Sequence, residues 1–290
     1  MKNITIIGAG WLGQPLATTL LSKGYRVFAS KTSQANCQSL HQLGIKAFQC
    51  NLLHPKTLET DLIEQQPDIV IGCFPPGFRR GLTDEYQLMW KSITQAALNS
   101  KVKKIIMINS TAVYPSTLPD LALPELIMTE EKASYSLALE NSQFTDNAKV
   151  LLRAEKHIID SGIDFSILRF SGLIGPNRHP ARFVSKLKQI SQSAPANMLH
   201  LDDAIGSVIF AIEQLDNQIV NVTTPDVMSK QQFYQMALES ANLPSSLLPS
   251  VVDLPDKKIE TTKLVAAGYQ YQYQTLKQAL NAIQFDLPLV

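Results

Sequence analysis

Ile4-Thr5-Ile6-Ile7-Gly8-Ala9-Gly10-Trp11-Leu12-Gly13 is the stretch on which the fold of this 290-residue chain turns. Its first four residues are apolar or β-branched, the pattern of a short strand buried on both faces. Leu12, Leu16, Leu20 and Leu21 then recur at helical spacing until Gly24. Pro15 is compatible with that helix only in its first turn, where no N–H is needed. Arg26-Val27-Phe28-Ala29-Ser30 reads as a second strand. The three glycines therefore fall between a strand and a helix, and each has a mechanical task there. Gly8 permits a tight turn, Gly10 lets an anion reach the backbone, and Gly13 lets helix and strand pack closely. The first N–H groups of the helix then point at a phosphate. A glycine-rich turn without a ligand is the competing reading.

Working outward, the spacing predicts a Rossmann fold that binds a dinucleotide along Gly8, Gly10, Trp11, Leu12 and Gly13. At the end of the second strand, 18 residues beyond Gly13, stands Lys31, flanked by Ser30, Thr32 and Ser33. An acid near this offset holds the ribose hydroxyls of NAD. A cation among hydroxyls suits a 2′-phosphate instead, so NADP(H) is favoured over NAD(H), with a merely solvated Lys31 as the alternative.

The strand–helix alternation continues through Ala47-Phe48-Gln49-Cys50, Asp68–Cys73, a helix over about 84–99, Ile105–Ile108 and Asp164–Arg169. Such alternation means a doubly wound parallel sheet. Ligands bind beyond the carboxyl ends of its strands. Ser110 and Pro75-Pro76-Gly77 lie there, and Asn51, Leu52, Phe74, Pro75 and Pro76 are expected against the cofactor. Residues 115–146 form an irregular excursion, and Gly172–Pro180 a turn-rich loop with Arg178 and His179 exposed at its tip.

Composition narrows the function classes. Lys and Arg number 26 against 25 acids, with no basic run. Nucleic-acid and anionic-membrane binding, which need a basic stripe, are therefore not expected. Cys37, Cys50 and Cys73 are odd in number and lack metal-ligand spacing, which fits reduced thiols in a cytoplasmic protein. Gly8 cuts the leading apolar run too short for a signal peptide, and no stretch approaches a membrane span. The expected partner is a small molecule.

Five motifs in order resemble the extended and atypical short-chain dehydrogenase/reductases of the nucleoside-diphosphate-sugar epimerase type. They are Gly8–Gly13, Asn51-Leu52, Ser110…Val113-Tyr114, Leu168-Arg169…Gly175-Pro176 and His200-Leu201-Asp202-Asp203. The tail, Thr262-Lys263…Gly268-Tyr269 and Tyr273-Gln274-Thr275-Leu276, extends the likeness over nearly the whole chain. The resemblance implies an NAD(P)-binding domain, a smaller C-terminal α/β lobe and carbonyl chemistry, with Ser110 contacting a substrate oxygen. It also implies a Tyr-x-x-x-Lys pair, whose phenol moves the proton. Here the chain departs: counting back from Glu155 puts Asn147 at the Tyr position and Leu151 at the Lys position. Tyr273…Lys277, the only such spacing in the chain, lies in the C-terminal lobe.

Other candidates keep two readings each. Tyr114 either approaches the nicotinamide or packs in its loop, and Tyr135 either supplies a phenol from another direction or is a surface residue. Arg178 and His179 either bind a substrate phosphate or carboxylate or form a solvated turn. Arg169 pairs with an acid or meets ligand. His200 with Asp202 and Asp203 reads as a helix-capping hinge rather than a metal cluster. The domains expected are 1–170 with 200–225, binding the dinucleotide, and 171–199 with 226–290 on the substrate side. The function expected is an atypical reductase or epimerase on a nucleotide sugar or other carbonyl metabolite, the alternative being a non-catalytic NADP(H) sensor.

Overall fold

The computed structural model describes residues 1–55, 57–116 and 126–285. Part of the irregular excursion, 117–125, lies outside them. The elements follow in chain order: β1 (Asn3–Ile7), α1 (Gly13–Ser22), β2 (Arg26–Lys31), α2 (Gln34–His41), β3 (Lys46–Gln49), α3 (Leu58–Gln65), β4 (Ile69–Gly72), α4 (Glu85–Asn99) and β5 (Lys104–Ser110). Then come β6 (Ile127–Met128), α5 (Tyr135–Glu140), α6 (Asp146–Ile159), β7 (Asp164–Phe170), β8 (Gly172–Ile174), β9 (Gln189–Ser191), β10 (Met198–His200), α7 (Leu201–Gln214) and β11 (Gln218–Val222). The chain closes with α8 (Lys230–Ser240), β12 (Ser250–Val252), β13 (Lys258–Ile259), α9 (Thr262–Ala266) and α10 (Leu276–Asn281).

Seven parallel strands form the main sheet in the order β11-β7-β5-β4-β1-β2-β3. The order reverses at β1, which pairs with β2 on one side and β4 on the other. Ile4, Ile6 and Ile7 of β1 and Ile105, Ile106 and Met107 of β5 are all buried. Their continuous apolar runs are what a strand covered by helices on both faces requires. The fold class read from the sequence, a Rossmann sheet with a smaller α/β lobe, is the one observed.

The chain divides into two compact units. The first holds Met1–Pro115, Ala133–Arg169 and Val208–Val220; the second holds Ser116–Lys132, Phe170–Ser207 and Asn221–Val290. Ser116 and residues 126–132, expected within the dinucleotide domain, cluster with the second unit. There β6 pairs with β13, and the Asn221 N–H donates to Glu130 Oε1 at 2.7 Å. The second unit carries three two-stranded parallel sheets, β8–β10, β9–β12 and β6–β13. Two of its helices are capped by side chains: Ser229 with Gln232 starts α8, and Thr275 with Gln278 starts α10. Each reciprocal pair satisfies two backbone N–H groups that the helix leaves open.

In the first unit a buried lysine fastens α7. Lys104 Nζ donates to the carbonyls of Ala211 (2.6 Å) and Leu215 (2.5 Å) and to Asp216 Oδ1 (2.7 Å). A cation at these last carbonyls sits at the negative end of the helix. Ser166 of β7 donates to the Leu215 carbonyl as well, at 2.5 Å. Among the described residues no helix is long and apolar enough to cross a membrane.

Candidate functional site

The glycine loop is held from three sides. Gly8 has φ +98°, its N–H donates to Ser30 Oγ at 3.0 Å, and the Ala9 N–H donates to the Ser30 carbonyl at 2.9 Å. A Cβ on Gly8 would meet the Cys73 carbonyl at 2.9 Å, and one on Gly13 would meet the Gly8 carbonyl at 2.3 Å. Both positions are closed by the protein itself. Gly10 is the opposite case: a Cβ built there meets nothing within 4 Å. So Gly8 and Gly13 are demanded by the fold, whereas Gly10 faces open space where a ligand can approach.

That space is a cleft of about 360 Å³ over the carboxyl ends of β1 to β4. Its volume lies within the range of small-molecule and cofactor sites. Gly8 and Gly10 form one wall, Ser30 and Lys31 end β2, and Thr32 follows it. Asn51 and Leu52 follow β3, and Phe74 and Pro75 follow β4. These expected residues are thus brought together. Trp11, Leu12, Gly13 and Pro76 do not line the cleft: Leu12 and Gly13 are buried at the start of α1, and Trp11 is half-buried. Ser30 is 2% exposed with its hydroxyl already accepting from Gly8, so it shapes the loop. Asn51 Oδ1 accepts from the Leu53 N–H at 3.1 Å, a local turn that fixes the backbone after β3. Lys31 Nζ reaches Gln14 Oε1 at 3.4 Å, and Thr32 is exposed.

Further wall residues were not among those expected to meet the cofactor, and Cys73, Arg80, Leu82 and Met89 are four of them. The available signal was Gly77-Phe-Arg-Arg-Gly81, a short turn with Gly77 and Gly81 at φ +79° and +78°. Phe74 stacks on Trp90 with ring centroids 5.1 Å apart, and Gly72 makes room for that indole, because a Cβ there would sit 2.2 Å from its ring. Burial and then the Asp61 carboxylate push the Cys50 thiol up to about 12, and burial pushes Cys73 up as well. Both thiols stay protonated near neutral pH and are poor nucleophiles.

Ser110 ends β5 half-buried, its Oγ accepting from the Ala112 N–H at 3.1 Å. It does not line the cleft. Tyr114 is 2% exposed, and its hydroxyl accepts from Arg169 Nη1 at 3.2 Å. The packed-loop reading of Tyr114 is the one observed. Arg169, wholly buried, binds Glu155 through Nε–Oε1 (2.9 Å) and Nη2–Oε2 (2.7 Å) and donates to the Ala133 carbonyl at 2.8 Å. Burial opposes its charge, but the Glu155 carboxylate more than offsets that and holds the guanidinium pKa above its usual value. Asn109 Nδ2 donates to the same carboxylate at 2.7 Å. Arg169 therefore pairs with an acid, and the network ties β5, α6 and β7 together through Asn109, the neighbour of Ser110 in the chain.

On α6, capped by Thr145, Asn147 is exposed and Leu151 is 1% exposed. Tyr135 begins α5 and is half-buried. In the second unit Arg178 is exposed as expected, but His179 is not: it is 1% exposed, and the expectation of a solvent-facing imidazole is corrected. Its Nδ1 accepts from the Ala181 N–H at 3.3 Å, Nε2 meets Ser240 Oγ at 3.2 Å, and Phe285 lies edge-on at 5.0 Å. The ring caps the turn that starts at Pro180. His200 Nδ1 likewise accepts from the Asp202 N–H at 3.1 Å, and Asp203 gathers the backbone N–H groups of Gln272 and Tyr273. Both side chains thus cap backbone N–H groups.

The NAD(P)H-binding family matches residues 8–197. The chain belongs to that family. Protein YeeZ of Escherichia coli strain K12 is 27% identical over 281 residues, covering 94% of this chain and 97% of its own length. The Bordetella bronchiseptica enzyme WbmH, solved in complex with NAD+, matches with a TM-score of 0.76 at 15% identity, over 98% of this chain and 97% of its own. UDP-N-acetylglucosamine 4-epimerase from Bacillus cereus matches with a TM-score of 0.75 at 16% identity, over 100% and 99%. The two structures establish the shared fold. As an NAD(P)H-binding family member with this fold, the chain bears out the resemblance carried by its ordered motifs.

Proposed function

We propose that the protein binds NADP(H) in the cleft over β1 to β4 and acts on a carbonyl metabolite, of the kind a nucleotide sugar presents, without a Tyr/Lys pair. The contrast among the glycines carries this reading: Gly8 and Gly13 are closed by protein atoms, and Gly10 alone is left open toward the cleft. When bound, the dinucleotide supplies a hydride donor or acceptor. The chain's own part is to cradle the pyrophosphate at the start of α1 and to offer Ser110 as a hydroxyl toward substrate oxygen.

Lys31 supports NADP(H) as the cofactor. Lys31 lines the cleft, and among the described residues its ammonium has only a long contact to Gln14, which a phosphate can replace. A charge-assisted hydrogen bond contributes about 1.5–3 kcal/mol, or roughly ten- to hundredfold in affinity. Lys31→Asp is expected to weaken NADPH binding by that factor and leave NADH nearly unchanged, as read by quenching of intrinsic fluorescence. Equal wild-type affinity for the two cofactors sinks the preference.

A second reading, a cofactor-dependent regulator without turnover, is favoured by α6. An exposed amide at Asn147 and a buried isobutyl group at Leu151 replace the phenol and the amine. General acid–base assistance is typically worth about 10²–10⁴ in rate. A Ser hydroxyl alone does not replace it near neutral pH. Common nucleotide sugars are therefore expected to give little or no cofactor turnover, and Asn147→Tyr with Leu151→Lys is not expected to create an efficient enzyme. The test is cofactor oxidation and sugar epimerisation across a panel of nucleotide sugars and simple carbonyl compounds. Robust turnover of a nucleotide sugar overturns the expectation and points to Tyr135, Tyr114 or the substrate itself as the acid. Turnover of another carbonyl compound favours the enzyme, and silence across the panel favours the regulator.

A further inference from the structure

A phosphate monoester at neutral pH carries a charge of about −1.5 to −2, more than one ammonium neutralises. Two cations line the cleft among the described residues: Lys31 at the end of β2, and Arg80 on the far side, in the loop after β4. Arg80 is exposed and makes no side-chain hydrogen bond or ion pair among the described residues, although Glu85 lies a few residues along the chain. Its turn, Phe78–Arg80, is bracketed by Gly77 and Gly81, both left-handed, and closed by the Arg80 N–H donating to the Gly77 carbonyl at 2.8 Å. The backbone that carries the guanidinium is thus set by two residues whose φ other amino acids rarely adopt. Leu52, Leu53, Leu82 and Met89 give the same cleft an apolar stretch, and Ser110 is absent from its walls. The cleft is therefore the half of the site remote from β5, the half suited to a flat apolar base and its sugar.

We propose that Arg80 is a specificity-determining residue that closes over the adenosine end of the bound dinucleotide and shares its 2′-phosphate with Lys31. The assignment rests on the NADP(H) reading given above and adds the second cation that reading needs. A guanidinium can meet phosphate with two parallel N–H donors, and an ammonium meets it as a point charge. The pair of cations from opposite walls selects the doubly charged ester over the bare ribose hydroxyls of NADH.

The experiment is a fluorescence titration of the full chain with NADPH and with NADH, for wild type, Arg80→Ala, Arg80→Lys and Arg79→Ala. Arg80→Ala is expected to weaken NADPH about ten- to hundredfold while changing NADH less than about threefold. Arg80→Lys should recover part of the loss. Arg79, exposed on the same turn but outside the cleft walls, should leave both affinities as they were. The exposed position makes misfolding of these variants unexpected, and unchanged thermal midpoints check it. If the wild type prefers NADPH and Arg80→Ala keeps that preference, the role of Arg80 is overturned and the cofactor reading stands. Equal loss of both cofactors also overturns it, since the guanidinium then serves the shared pyrophosphate. A wild type that holds NADH as tightly as NADPH overturns the cofactor reading and this proposal with it.

Discussion

Gly10→Val is expected to abolish dinucleotide binding in a protein that still folds. The site of the new side chain is empty of protein atoms, so nothing in the fold resists it. The branched group instead occupies the space through which a pyrophosphate approaches the N–H groups at the start of α1. Two lost charge-assisted hydrogen bonds, at about 1.5–3 kcal/mol each, lower affinity by about 10²–10⁴. Gly13→Ala is the contrasting variant. Its Cβ would lie 2.3 Å from the Gly8 carbonyl, so it should damage the fold as well as binding. Titration with NADPH alongside a thermal melt separates the two outcomes. A Gly10→Val protein that binds like the wild type removes this loop from the site.

The second large effect concerns stability. Glu155→Ala leaves the Arg169 guanidinium buried without its carboxylate and takes the acceptor from Asn109. Removing one partner of a buried ion pair costs about 3–5 kcal/mol, because the remaining charge is uncompensated. Urea denaturation should show that loss as a lower midpoint with a nearly constant slope. Replacing both partners, Glu155→Leu with Arg169→Leu, should cost much less, since two apolar groups leave no orphaned charge. A loss below about 1 kcal/mol in the single variant contradicts the buried-pair account.

Much of the dinucleotide half could be read from residues, for physical reasons that are specific to it. A strand buried on both faces must be apolar throughout, so β1 and β5 announce themselves. The amphipathic spacing of α4, expected over 84–99 and found at Glu85–Asn99, does the same. The second unit gave weaker signals because its strands span two or three residues each. A period of two cannot show itself over that length.

Side-chain roles were harder to foresee than positions. Ser30 was expected to meet the cofactor, yet its hydroxyl holds Gly8, since a polar group at a strand end serves backbone and ligand equally well on paper. His179 lies in a stretch of turn residues that looks solvated. The cue to its burial was the following proline: Pro180 cannot donate an N–H, and a ring acceptor before it caps the turn instead. Arg80 lacked any periodic pattern, and it lines the cleft from a short turn between two glycines of positive φ.

The place of β11 in the sheet also bears on how the protein is made. This strand completes the main sheet at its outer edge beside β7, yet begins at Gln218, 48 residues after β7 ends at Phe170. At a synthesis rate of about 5–20 residues per second, the ribosome needs roughly 2–10 s to supply it. During that interval β7 is an unpaired edge, and Lys104 and Ser166 lack the acceptors of Ala211 and Leu215. The nascent chain thus presents a sticky β-edge and an uncompensated ammonium before either is covered. A gene cut at residue 170 would make that transient species permanent, and its product should collect in inclusion bodies.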